Sequence, residues 1–117
     1  MNLEKREYWK SLINMGMIKF LVLRCLTKEN LHGYAVLDKV QNLTKHCCEP
    51  TYGSIYPILK EFVKGGYAKV SQEKINNRSR KVYYITEKGK NAYKEALGAW
   101  EDIFPYLKQI LKEDSQN

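Results

Sequence analysis

Thr51 to Gly66 reads TYGSIYPILKEFVKGG, and the fold turns on how its apolar residues are spaced. At about 100° per residue, Ile55, Leu59, Phe62 and Val63 share one face, with Ile58 and Tyr56 at its margins. Gly53, Pro57, Lys60 and Lys64 point the opposite way, with Ser54 and Glu61 beside them. This two-sided pattern predicts an amphipathic helix. Thr51 to Ser54 are residue types that satisfy free amides at a helix start, and Gly65-Gly66 ends the helix because glycine takes the left-handed cap at little cost. Pro57 is compatible with this helix only because it falls in or just after the first turn. Gly53 and Ser54 keep the amino end slim enough to approach a groove closely. Free amides there suit a phosphate, and Lys60 and Lys64 add charge. An ordinary amphipathic helix with a solvated outer side has the same pattern, so the flanking sequence must decide.

Downstream, Tyr67 to Ile75 and Arg80 to Ile85 read as short strands around Asn76, Asn77, Arg78 and Ser79. Asparagine tolerates the positive φ that tight turns need, so a hairpin with a basic tip is expected. Arg78, Arg80 and Lys81 are its candidates for gripping a nucleic-acid backbone, contacts that position a protein without reading sequence. Thr86 then caps a long last helix reaching about Glu113, with Glu87 at the positive end of its dipole. Upstream, His32 or Gly33 opens a helix through Leu43, and Thr44 to Pro50 is a connector. A first helix runs from about Glu4 to Leu26. Helix, helix, helix, hairpin, helix is an α+β, mainly α arrangement: a winged helix-turn-helix with a two-stranded wing and a long C-terminal helix. We expect one domain over 1–117, with the winged part at about 1–85, the last helix at about 86–113 and a tail at 114–117.

Composition agrees. The 117 residues are 44% hydrophobic, enough for a core, and carry a formal charge of +7. Between Lys60 and Lys90 there are nine basic and three acidic side chains, a surplus of six. Positive charge gathered in one segment suits a polyanion, nucleic acid first and an acidic lipid face second, with a solvated basic surface as the plain alternative. No run of about 18 uncharged apolar residues suggests a membrane span, and Met1 to Lys10 lacks the apolar stretch of a secretion signal, so the cytoplasm is the expected compartment. Cys25, Cys47 and Cys48 do not form a disulfide framework and are expected as reduced thiols. His46, Cys47 and Cys48 are contiguous, with Cys25 a conceivable neighbour, but adjacent cysteines chelate poorly, so no metal and no other cofactor is expected. Lys45 and His46 could lower a thiol pKa, which keeps a thiol sensor in view. No nucleophile–base pair or phosphate loop suggests an enzyme.

At this point the residues become recognisable. His32-Gly33-Tyr34, then Thr51-Tyr52-Gly53-Ser54-Ile55-Tyr56-Pro57-Ile58-Leu59, then Gly65-Gly66-Tyr67 and Arg80-Lys81-Val82-Tyr83-Tyr84-Ile85-Thr86-Glu87-Lys88-Gly89 together resemble the PadR family of bacterial transcription regulators. The likeness covers nearly the whole chain in order, and the single last helix looks like the short subfamily. Cys47-Cys48-Glu49-Pro50 departs from the family pattern. The resemblance implies a dimeric winged-helix repressor, often released by a small molecule, with the third helix in the major groove and the hairpin over the minor groove or flanking phosphates. Carried over by position, Tyr34, Thr51, Ser54, Tyr56, Lys60, Arg78, Arg80, Lys81 and Tyr83 would lie at the DNA, and the charge of Lys64 places it with them. Ser54 and Lys60 either reach bases, in which case their loss changes sequence preference, or act as positioning residues that leave it unchanged. Tyr34 and Tyr56 could equally be packing residues.

The dimer is expected independently. Tyr93, Leu97, Trp100, Phe104, Leu107 and Leu111 follow spacings of 4 and 3, widened by Ala96, Ile103 and Ile110. Trp9, Ile13, Gly16, Phe20 and Leu23 form a matching seam on the first helix, opposite Leu12, Ile18, Leu21, Val22, Cys25 and Leu26. Little chain remains to cover either seam, so a symmetry mate is expected to do so. Ile13, Phe20, Trp100 and Phe104 would line the space between subunits, as a site for planar, apolar or cationic effectors or simply as dimer core. The expected partners are double-stranded DNA, a second copy and a small-molecule effector. The rival readings are a dimeric winged-helix module that binds proteins, and a thiol or ligand sensor that does not itself read DNA.

Overall fold

The computed structural model describes residues 2–45 and 50–115. The elements are α1 (Arg6–Lys28), β1 (Leu31–His32), α2 (Gly33–Leu43), α3 (Tyr52–Lys64), β2 (Ala68–Ile75), β3 (Arg78–Ile85) and α4 (Glu87–Asp114). This is a winged helix-turn-helix with a long last helix, as the sequence led us to expect. Some boundaries moved: α1 begins and ends two residues later than expected, β2 starts at Ala68 rather than Tyr67, and β3 starts at Arg78 rather than Arg80. One strand was not anticipated. Leu31 and His32 pair with Tyr83 and Val82, making β3 the centre of a three-stranded antiparallel sheet in the order β1-β3-β2.

Local chemistry sets most boundaries. Ala35 N–H donates to Nδ1 of His32 at 3.3 Å, capping α2. At α3 the Ser54 amide donates to Thr51 Oγ1 and the Thr51 amide donates to Ser54 Oγ, a reciprocal capping box. The helix continues through Pro57, whose ring falls against the carbonyl of Gly53, an exposed residue with no side chain to crowd it. It closes in a Schellman motif: Tyr67 N–H reaches Phe62 O at 2.8 Å and Gly66 N–H reaches Val63 O at 3.1 Å, with Gly66 left-handed at φ 81°. Asn76 and Asn77, at φ 51° and 65°, form the two-residue turn between β2 and β3, the type whose twist matches that of a hairpin.

The core gathers Ile18, Val22, Leu23, Cys25 and Leu26 of α1, Val36 and Val40 of α2, Ile55, Leu59 and Phe62 of α3, and Ala68 and Tyr83 of the sheet. Leu23 was expected on the seam facing a second copy; it is instead buried in the subunit's own core, because the carboxyl half of α1 is enclosed by α2, α3 and α4. Leu12, expected on the side of α1 that faces its own domain, is exposed. The enclosure stops at about the middle of α1. Trp9, Leu12, Ile13 and Met15 are exposed, as are Ile103, Phe104, Leu107, Ile110 and Leu111 of α4. The protruding helix ends give a radius of gyration of 16.3 Å, against about 13 Å for a compact chain of this length. No helix among the described residues is long and apolar enough to cross a membrane.

Candidate nucleic-acid interface

α3 is held by its apolar face and leaves its other side open. Ile55, Leu59 and Phe62 are buried, while Thr51, Gly53, Ser54, Pro57, Lys60, Glu61 and Lys64 are exposed. The capping box changes what Thr51 and Ser54 can offer. Ser54 Oγ donates to Thr51 O at 2.8 Å while accepting from the Thr51 amide, so its one proton is engaged and it meets a ligand as an acceptor. Tyr52 and Gly53 contribute amides that have no carbonyl within the helix to bond, and they point out of its amino end. Glu61, the only acid of α3, pairs with Lys19 of α1 at 2.7 Å. That pairing turns the helix's negative charge toward α1 and leaves its lysines unopposed.

Aromatic rings crowd the start of α2 and α3. Tyr34, 56% exposed, stacks on Tyr52 with centroids 4.3 Å apart and planes 11° from parallel. Tyr52 in turn lies 5.6 Å from Tyr56. Tyr52 was absent from the expected site residues, although its spacing of four from Tyr56 was a sequence signal that they share a helix face. Its neighbour across the fold was not foreseeable: a Cβ on Gly33 would sit 2.6 Å from the Tyr52 ring. The bare backbone at position 33 makes room for the stack.

The wing divides its basic residues. In the β2–β3 register Val70 faces Tyr83 and Gln72 faces Lys81, while Glu73 faces Arg80 and Ile75 faces Arg78. Side chains alternate between faces, so Lys81 shares a face with Val70 and Tyr83, and Arg78 and Arg80 lie on the other. The first face meets α3 across a groove of about 270 Å³ lined by Tyr56, Lys60, Lys64, Val70 and Lys81. Tyr83, expected to touch DNA, is 3% exposed and belongs to the core; it forms the groove's floor because β3 is the central strand. Burial, then the nearby Tyr52 and Tyr56, push its phenol pKa up. Arg80 stands opposite Glu73 in the register, and Glu73 accepts hydrogen bonds from Ser71 and Tyr84.

The expected ligand residues separate in the same way. Phe20 stacks on Tyr93 at 5.6 Å and lies 5.6 Å from Trp100. Phe20 and Trp100 line a cavity of about 400 Å³ shared by α1, α3 and α4, with Lys19 and Glu61 at its edge. Ile13 and Phe104 lie outside that cavity and are exposed. The other seam residues (Trp9, Gly16, Leu97, Leu107 and Leu111) are exposed on α1 and α4, and Tyr93 is half-buried. Cys25 is buried, and that burial raises its thiol pKa. His46, Cys47 and Cys48 fall outside the described residues; among the described residues no cluster of His, Cys, Asp or Glu suits a metal.

Comparison with known proteins agrees with this architecture. A PadR-like regulator from Bacillus cereus superposes with a TM-score of 0.75 at 23% identity, over 86% of this chain and 96% of that one. A PadR family regulator from Clostridium difficile gives 0.69 at 24% identity, over 80% and 97%. Bacillus subtilis PadR, solved in complex with operator DNA, gives 0.60 at 24% identity, over 68% of this chain and 45% of that one. An uncharacterized protein of Lysinibacillus sphaericus is 24% identical over 99 residues, 80% of this chain and 87% of its own length. Residues 22–95, more than half of the chain and every element from late α1 to early α4, match the model of the transcriptional regulator PadR-like family. The chain belongs to the PadR-like family of transcriptional regulators.

Proposed function

We propose that this protein works as a homodimeric DNA-binding regulator, a repressor that reads an inverted-repeat operator and is released by a small planar or apolar molecule. The observation that carries the DNA reading is the charge arrangement around α3. Its only carboxylate is held back by Lys19, while Lys60, Lys64 and the wing's Lys81 face open solvent along one side. In this reading the slim amino end of α3 enters the major groove, with Thr51 and Ser54 at its tip. Tyr34, Tyr56, Lys64, Arg78, Arg80 and Lys81 meet the flanking backbone. The Bacillus subtilis relative with operator DNA is consistent with it.

The dimer rests on uncovered apolar surface at the ends of α1 and α4, where Trp9, Ile13, Phe104, Leu107 and Leu111 need a partner. Two subunits joined there would hold two copies of α3 about one helical turn of DNA apart. A molecule beside Phe20 and Trp100 would favour one dimer shape over another and weaken DNA binding through that difference.

A gel-shift titration against the DNA upstream of the protein's own gene, at several salt concentrations, tests this. If each subunit neutralises about four phosphates, log affinity falls with log salt at a slope of about −7. Equal affinity for scrambled DNA, or a flat salt response, defeats the operator reading.

A further inference from the structure

The groove between α3 and the wing holds an arrangement that base reading by α3 leaves unused. Lys60 Nζ lies 5.8 Å from the centre of the Tyr56 ring, and Lys81 Nζ lies 5.9 Å from the same centre. Lys64 lines the groove as well. Each of these lysines comes from a different turn or strand, yet all three converge on one space of about 270 Å³. Ion pairs among the described residues use Lys19, Lys39 and Lys90, and none of these three. Two ammonium groups beside one ring and a third lining the same groove repel one another, and attraction to an aromatic face, about 0.5–1 kcal/mol at an exposed site, offsets little of that. The chemistry that settles such a cluster is a compact anion with several acceptor oxygens. Val63, Val70 and Tyr83 line the groove beside these lysines and offer the anion no competing acceptor carboxylate.

We infer that this groove is a seat for one phosphate group, gripped from the recognition helix by Lys60 and from the wing by Lys81, with Tyr56 as the spacer between them. The inference rests on the DNA-binding reading for its main source of phosphate, the backbone of bound DNA, and within that reading it assigns Lys60 one of the two roles open to it. Lys60 is drawn back over Tyr56 toward the wing, so it positions the protein rather than reads a base. Sequence reading along α3 then falls to its amino end. The same seat accepts a phosphate of a free compound, because its chemistry does not distinguish a diester from an oligophosphate.

Two measurements on the full chain separate these sources. In the first, affinity for operator and for scrambled duplex is followed against salt for the wild type, Lys60→Gln, Lys81→Gln and the double variant. One shared phosphate per subunit means that each single variant loses at least about tenfold affinity for both duplexes. Each salt slope becomes shallower by about 1.8 per dimer, and the double variant adds little more. In the second, inorganic pyrophosphate is titrated calorimetrically into DNA-free protein. Binding by the wild type that the double variant lacks identifies free phosphate as a second occupant; its absence, with the DNA result intact, assigns the seat to the DNA backbone alone. If the wild type shifts no DNA yet binds pyrophosphate through these lysines, the regulator reading falls and the seat stands. The seat is overturned if Lys60→Gln changes the operator-to-scrambled ratio, if the two slope changes add, or if neither DNA nor pyrophosphate binding responds to either lysine.

Discussion

A Cβ on residue 89 would stand 2.1 Å from the carbonyl oxygen of Tyr67, so Gly89 lets the first turn of α4 lie directly on the chain leaving α3. Around that contact, Thr86 Oγ1 donates to Gly66 O at 2.7 Å and Lys88 Nζ donates to Gly65 O at 2.7 Å, with the same ammonium 4.6 Å over the Tyr67 ring. The start of α4 is therefore fixed to the end of α3. Whatever tilts α4 must tilt α3 with it, or break this junction.

Gly89→Ala should cost about 1–3 kcal/mol of stability, since the obstacle is backbone and cannot rotate away. Urea unfolding at fixed protein concentration checks this. An unchanged midpoint would mean that α4 docks otherwise.

Removing the ring at the centre of the tyrosine stack should loosen Tyr34 without opening the core. Tyr52→Ala is expected to lose about 0.5–1.5 kcal/mol from the aromatic pair and to weaken operator binding several-fold, whereas Tyr52→Phe keeps the stack and both properties. Equal losses in the two variants would assign the effect to the hydroxyl.

Charge on the uncovered stripe of α4 should split the dimer. Phe104→Glu and Leu107→Glu alter residues that are exposed within the subunit, so the fold survives while sedimentation reports half the wild-type mass and gel shifts fade. A wild type that sediments as a lone subunit would remove the dimer altogether.

Stability should fall at high pH. Tyr52 and Tyr83 both have pKa values raised above the usual 10.0, chiefly by burial. The folded state thus holds their protons more tightly than the unfolded chain does. Their contribution is fully present below about pH 10 and is lost as pH rises through the folded values. Tyr83→Phe should flatten the decline in urea midpoint as pH rises above about 10.

Cys25 should resist alkylation in the folded protein at pH 8, because the thiol is buried and its pKa raised by that burial. Mass spectrometry after iodoacetamide treatment, with and without urea, reads this directly; rapid native labelling would indicate opening of α1.

Much of the architecture was legible because it is local. Thr51, Ser54, Gly66, Asn76, Asn77 and Thr86 each act on amides or dihedrals within a few residues of themselves, so their types announced the ends of α3, the wing turn and the start of α4. The α3 faces followed from helical period alone. β1 was not legible: two residues make no pattern, and they form a strand only because Tyr83 and Val82 arrive beside them. Tyr83 itself looked like a surface tyrosine beside Lys81 until the central place of β3 buried it.

From its own residues the chain determined the four helices and the two strands of the wing, which face of α3 is greasy and where the positive charge lies, since these depend on near neighbours and composition. Only the tertiary structure decided that Glu61 turns to Lys19, forty-two positions away, that Lys81 faces α3 while Arg78 and Arg80 face away, and that Gly33 receives the Tyr52 ring. Such relationships depend on strand register and on elements meeting in space, and a register shift of one residue would exchange every side chain of the wing between its two faces.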